Sequence, residues 1–178
     1  MTEPRLGGRE IRRIVYSQQD IQRRVDQMGA EIAAHYAGEE DLLVLGLLKG
    51  SFIFLADLVR AIQMPLHVDF LQASSYGNGT VSSGNVQLVY DPEADIRGRN
   101  VIVVEDIVDS GNTMNRLIPL LESREPKSLE VCALLHKRLA SLDKEAMWVG
   151  FDAPEEFLIG YGLDFSESYR HVPYIASL

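Results

Sequence analysis

Val101-Ile102-Val103-Val104-Glu105-Asp106-Ile107-Val108-Asp109-Ser110-Gly111-Asn112-Thr113 decides the fold. Its first four residues are β-branched and apolar without alternation, the pattern of a strand buried on both faces. Such strands belong to sheets covered by helices on each side. The strand is expected to end in the paired carboxylates Glu105 and Asp106. A short loop carrying Asp109, Ser110, Gly111 and Thr113 then opens a helix over Thr113 to Glu122.

Reading outward, Leu129 to Leu135 and Leu42 to Leu48 are further apolar runs too short for helices and suited to buried strands. Before them, Ser17 and Asp20 form a capping box, followed by Ile21, Val25, Met28, Ile32 and Tyr36 at helical spacing up to Gly38. Phe52 to Ile62 reads as a second helix, and Leu66 to Ala73 and Val86 to Tyr90 as strands. Ser74 to Asn85 is a polar, glycine-rich loop of a length unusual within a domain. Strand and helix alternate, so the fold class is α/β with a mainly parallel twisted sheet flanked by helices. From Trp148 to Leu178 the chain is aromatic-rich, with shorter elements.

The 178 residues fit one domain large enough to bury a core unaided. A net charge of −9 opposes long polyanionic partners, so neither nucleic acid nor a membrane surface is expected. Cys132 is the single cysteine, which excludes an internal disulfide and a cysteine-rich zinc site. His35, His67 and His171 have no metal-ligand spacing, and His136 reads as a strand-end residue. Met1 to Arg13 is charged at Glu3, Arg5, Arg9 and Glu10 and lacks an apolar signal core, so a cytoplasmic location is expected.

In parallel α/β sheets, ligands sit outside the carboxyl ends of strands, where the loop after Asp106 lies. Backbone N–H groups opening the next helix suit a phosphate, and Gly111 admits it closely. The acids Glu105 and Asp106 repel phosphate but suit sugar hydroxyls or a hard cation. Neither a Walker loop nor a dinucleotide-binding glycine fingerprint occurs, and Gly160-Tyr161-Gly162 is only a fragment of the latter.

Glu105 to Thr113 resembles the phosphoribosyl-diphosphate motif of type I phosphoribosyltransferases, particularly the bacterial hypoxanthine-guanine branch. Leu48-Lys49-Gly50-Ser51, Ser75-Tyr76-Gly77, Lys137 and Phe157 through Arg170 match that family in the same order. The likeness implies a type I phosphoribosyltransferase-like core over about residues 17–145. A small hood would come from the N-terminal segment and about 146–178, all within one domain 1–178.

The family moves ribose 5-phosphate from phosphoribosyl diphosphate to a 6-oxopurine in purine salvage, with Mg²⁺, as homodimers or homotetramers. By resemblance, Glu105 and Asp106 hold the ribose hydroxyls directly or through Mg²⁺, with Asp164 as a further metal ligand. Asp109, Ser110, Gly111, Asn112 and Thr113 cradle the 5-phosphate, and Asp109 exchanges the proton at the purine imidazole nitrogen. Lys49, Gly50 and Arg170 meet the pyrophosphate, and the peptide before Lys49 can be cis. Lys137 donates to the purine 6-keto oxygen, Phe157 stacks on the base and the Leu158 backbone reads its pyrimidine edge. Ser75 and Tyr76 belong to the lid. An ammonium has only donors, which favours a keto group and opposes adenine.

Two departures from the family stand out. Asn112 replaces a lysine found in some relatives, and Arg138-Leu139-Ala140-Ser141 lacks a proline common there. Two alternatives remain at this level. One is a xanthine-preferring enzyme. The other is an RNA-binding regulator like the pyrimidine attenuation proteins, which would need a basic face such as Arg12, Arg13, Arg23 and Arg24.

Overall fold

In chain order the elements are β1 (Arg13–Tyr16), α1 (Gln18–His35), β2 (Leu42–Leu47), α2 (Phe52–Ala61), β3 (Leu66–Ser75) and β4 (Val86–Tyr90). They continue as β5 (Asn100–Val108), α3 (Asn112–Glu122), β6 (Ser128–Lys137), β7 (Trp148–Ala153), β8 (Leu158–Ile159) and β9 (Ile175–Ser177). The computed structural model describes residues 4–7, 9–75, 86–137 and 139–178. Tyr76 and most of the proposed lid loop lie outside them, and Ser75 is the last residue of β3.

The large sheet has the order β4-β3-β2-β5-β6-β7. All its neighbours are parallel except β4, which runs antiparallel to β3 at one edge. The unbroken apolar runs now have a cause, since each strand faces helices on both sides. Leu42, Val44, Ile102, Val104, Cys132 and Leu134 pack with Ile21, Val25, Met28 and Ile32 of α1 and with Phe54 and Leu58 of α2. Their alternates Leu43, Leu45, Val101, Val103, Val131 and Ala133 pack with Met114, Leu117, Ile118 and Leu121 of α3. Ser17 caps α1 as its spacing predicts, its hydroxyl accepting from the Asp20 N–H at 3.2 Å.

One difference from the sequence reading moves the chemistry. The strand does not stop at the acids. β5 continues through Glu105, Asp106 and Ile107 to Val108, and β6 likewise extends to include Lys137. The cause is unequal neighbours: β2 pairs with β5 only as far as Gly46 opposite Val104, whereas β6 carries on to His136 opposite Val108. Backbone bonding to β6 thus holds the acids in a ladder, rigid and half-enclosed.

A second, antiparallel sheet has the order β1-β9-β8. It joins an early strand to the chain's last one around Leu6, Ile159, Tyr169, Val172 and Ala176. β7 falls within the range the resemblance gives to the hood, yet it is the edge strand of the large sheet, with Lys137 opposite Ala153. Trp148 explains this, because it is buried in the core shared with α1 and Cys132. Among the described residues, no helix is long and apolar enough to cross a membrane.

Candidate active site

The carboxyl ends of β2, β5 and β6 open on one side of the large sheet, and the sequence-marked residues gather there. Glu105 and Asp106 lie side by side on β5, with Asp106 buried at 8% exposure. Burial, and then the adjacent Asp106 charge, push the Glu105 carboxyl well above the usual carboxylate range. Burial also raises Asp106, against hydrogen bonds from Glu105 and from the N–H groups of Ile107 and Asp106 itself. Glu105 Oε2 is enclosed with no hydrogen-bond partner. Two desolvated carboxyls with one orphaned oxygen make a donor set that fits a hard divalent cation, which needs only one or two protein carboxylates when substrate oxygens and water complete its shell. Among the described residues, no group of three such ligands converges.

Gly50 lies against this pair, and a Cβ there would fall 1.8 Å from Asp106 Oδ2. Only glycine lets the loop after β2 approach so closely. The peptide joining Leu48 to Lys49 is cis. Gly162 repeats the device from the other side, since its Cβ would meet the Gly50 carbonyl at 2.0 Å. The fragment Gly160-Tyr161-Gly162, set aside as a nucleotide fingerprint, is instead what seats the hood on the core. Both glycines have positive φ, +94° and +104°.

Beyond β5, Glu105 and the segment from Ile107 to Met114 line a small cavity of about 70 Å³. Gly111 adopts φ +85° and initiates α3 without any side-chain cap. The first helical N–H groups and the positive end of the helix dipole thus face the loop with no acidic residue in the first turn. Asn112 and Thr113 are exposed there, and Ser110 Oγ accepts from the Asn112 N–H at 3.4 Å. The Ser141 carbonyl, at 2.2 Å from a Cβ at Gly111, supports the loop from beneath.

Asp109 and Lys137 form an ion pair, Nζ to Oδ1 at 2.8 Å, with Lys137 17% and Asp109 69% exposed. The strand register brings them together, since Val108 stands opposite His136. Phe157 is exposed and meets Phe165 edge-on at 5.6 Å, while Leu158 is buried in β8 opposite Ser177. Pairing of Lys137 with Ala153 puts the chain that leads to Phe157 alongside Lys137.

Arg170 is nearly enclosed. It pairs with Asp164 at 2.7 Å, donates to the Gly162 carbonyl at 2.7 Å, and approaches Glu167 at 3.4 Å. Asp164 is thus engaged by a guanidinium rather than grouped with Glu105 and Asp106. Glu167 also pairs with Lys49 at 3.2 Å. Sequence reasoning missed Glu167, because a lone acid in a turn carries no pattern. Three of the four arginines that an RNA-binding face would use are compensated: Arg13 pairs with Glu156, Arg23 with Asp20, and Arg24 with Glu31.

Comparison with known proteins identifies the family and the fold. Residues 13–166 match the family described as the phosphoribosyl transferase domain. The chain is 44% identical over 168 residues to the hypoxanthine phosphoribosyltransferase of Salmonella typhimurium, spanning 93% of this chain and 94% of that protein. The Escherichia coli K12 hypoxanthine phosphoribosyltransferase is 41% identical over 167 residues, with the same coverage of 93% and 94%. Among solved structures, a Bacillus anthracis hypoxanthine-guanine phosphoribosyltransferase aligns with a TM-score of 0.89 at 44% identity, over 95% of this chain and 99% of that one. A Staphylococcus aureus hypoxanthine phosphoribosyltransferase aligns at 0.92 and 38% identity, over 100% and 96%.

Proposed function

The chain belongs to the phosphoribosyl transferase domain family, and on that premise we propose that it is a hypoxanthine phosphoribosyltransferase of purine salvage. It would transfer ribose 5-phosphate from phosphoribosyl diphosphate to hypoxanthine, and to guanine, giving IMP or GMP and pyrophosphate. The observation that carries this reading is the Asp109–Lys137 pair at the carboxyl ends of β5 and β6, beside an uncapped helix start.

Asp109, Ser110, Gly111, Asn112 and Thr113 receive the 5-phosphate, which the N–H groups opening α3 attract. Lys137 and Asp109 satisfy each other until a purine enters. The ammonium then turns to donate to the 6-keto oxygen, and the carboxylate takes or returns the proton at the imidazole nitrogen. Each charged group thus exchanges its ion-pair partner for a neutral hydrogen-bonding group of the base, so neither is left without a partner. Phe157 supplies a stacking face and the Leu158 backbone borders the base. Lys49, Gly50 and Arg170 take the pyrophosphate, and Ser75 and Tyr76 close over the reactants to exclude water. Glu105 and Asp106 would hold Mg²⁺ or the ribose hydroxyls, with Asp164 as a further metal ligand. The cation would neutralise the departing pyrophosphate. Negative carboxylates near the anomeric carbon also favour its oxocarbenium character.

The protein is read as one domain, with its hood assembled from both ends of the chain, working in the cytoplasm as a homodimer or homotetramer without nucleic acid or membrane partners. An initial-rate assay with phosphoribosyl diphosphate, Mg²⁺ and hypoxanthine, guanine, xanthine, adenine or uracil tests it. Turnover of hypoxanthine with none of adenine is the expected result; activity only with uracil, or with no base, would overturn the reading.

A further inference from the structure

We propose that Glu167 is the resident counter-anion of the pyrophosphate cradle, a positioning residue that holds Lys49 and Arg170 and limits how tightly pyrophosphate binds there. The inference rests on Lys49 and Arg170 being the pyrophosphate contacts. A single oxygen, Glu167 Oε2, lies 3.2 Å from Lys49 Nζ and 3.4 Å from Arg170 Nη2. The two cations come from different parts of the fold, one from the loop after β2 and one from the segment before β9. Glu167 is the carboxylate both share.

The backbone is arranged to put it there. Ser166 and Glu167 are the central residues of a two-residue turn, with φ +52° and +63°. Reciprocal hydrogen bonds between Phe165 and Ser168, each 3.1 Å, close that turn. Both central positions lie in the region that favours Asn or Gly, so a Ser-Glu pair holds this shape against its own preference. The Glu167 N–H donates to Asp164 Oδ2 at 2.9 Å, and Asp164 Oδ1 in turn pairs with Arg170 at 2.7 Å. The turn, the acid and the guanidinium form one unit.

Two neighbouring cations held for an absent anion would repel each other, and a bridging carboxylate removes that repulsion. A glutamate carboxyl is ordinarily ionised at neutral pH, so the Glu167 bridge carries a negative charge. It is also 67% exposed, and exposed ion pairs are weak, so an incoming pyrophosphate can displace it. The same competition acts on the product. A cradle with its own counter-anion releases pyrophosphate more readily than a bare one.

Glu167→Gln keeps the side chain's size and its acceptor oxygen and removes only the charge. Product inhibition by pyrophosphate should strengthen roughly two- to fivefold, the scale of one exposed charge interaction. The gain should shrink as salt is raised, and the KM for hypoxanthine should not move. Ser166→Asn relaxes the turn without changing charge and should leave pyrophosphate inhibition as in the parent. Unchanged or weakened inhibition in Glu167→Gln overturns the proposal, as does an equal change in Ser166→Asn. Arg170→Lys separates the two readings. If it leaves pyrophosphate inhibition untouched, the cradle itself is misassigned; if it weakens inhibition while Glu167→Gln does not strengthen it, only the role of Glu167 fails.

Discussion

Asp109 and Lys137 stand on the loop and strand end of neighbouring elements, 2.8 Å apart, each occupying the other's chemistry. Replacing Asp109 by Asn keeps the shape and the acceptor oxygen but cannot take a proton. Turnover in Asp109→Asn should fall about a hundredfold or more, the ordinary weight of a general acid–base group, while the KM values for both substrates change little. Steady-state kinetics check this, and near-parent turnover would remove Asp109 from the proton chemistry. The sequence marks both residues by type, an acid in a glycine-containing loop and a lysine after an apolar run. Their pairing depends on the β5–β6 register, which no local pattern encodes. Gly50 and Gly162 were only partly legible for a similar reason. A glycine's purpose here is the atom that a Cβ would strike, and those atoms belong to Asp106 and to Gly50, far away in sequence.

At the level of elements, the capped start of α1 was plain because Ser17 and Asp20 are local and the apolar stripe behind them has one period. β5 was harder. Charged residues read as the end of a strand, and only an extended partner such as β6 keeps Glu105 and Asp106 in the ladder. β7 was obscured by its Gly and Asp, though Trp148 is buried in the main core. The hood's own joint yields a prediction. Arg13, which opens β1, hydrogen-bonds Glu156, just before β8, at 2.8 Å. That bond, then Ser177 and the Arg13 charge, hold the Glu156 carboxyl down to about 2 from an ordinary 4.5. A depressed acid stabilises the folded state above its ordinary value and loses that contribution as pH falls toward the depressed one. Acid between about 4.5 and 2 should therefore loosen the β1–β8 joint. Hydrogen exchange at β1 amides, followed through that window, should rise in the parent more steeply than in Glu156→Gln, which lacks the titration. Identical profiles would mean the pair does not hold the hood.

For the molecule as a whole, a net charge of −9 sits beside a proposed substrate that is itself a polyanion. The conflict is resolved by placement: an uncapped helix start, Lys49, Arg170 and a carboxyl pair suited to Mg²⁺ all face one end of the sheet. Ligand that binds only the folded chain should raise its melting temperature by mass action. Phosphoribosyl diphosphate at a hundredfold its Kd supplies about 2.7 kcal/mol, or roughly 5–10 °C for a chain of this size. Differential scanning fluorimetry should show that rise with Mg²⁺ present and a much smaller one with a chelator. Equal shifts in both conditions would exclude a bridging cation. The alternation of strands and helices made the core legible at this scale, while the hood was legible only by resemblance, since its strands are short and far apart in sequence.

The middle strand of the hood is β9, which lies between β1 and β8. Synthesis runs from the N-terminus, so every strand of the large sheet emerges before β9 does. A growing chain can finish the phosphate loop and its helix while β1 and β8 still lack the strand that joins them. On the proposed assignment, the loop for the 5-phosphate is thus complete earlier in the life of the polypeptide than the hood. A chain stopped before Ile175 would keep the strands of the large sheet and lose the strand that joins β1 to β8.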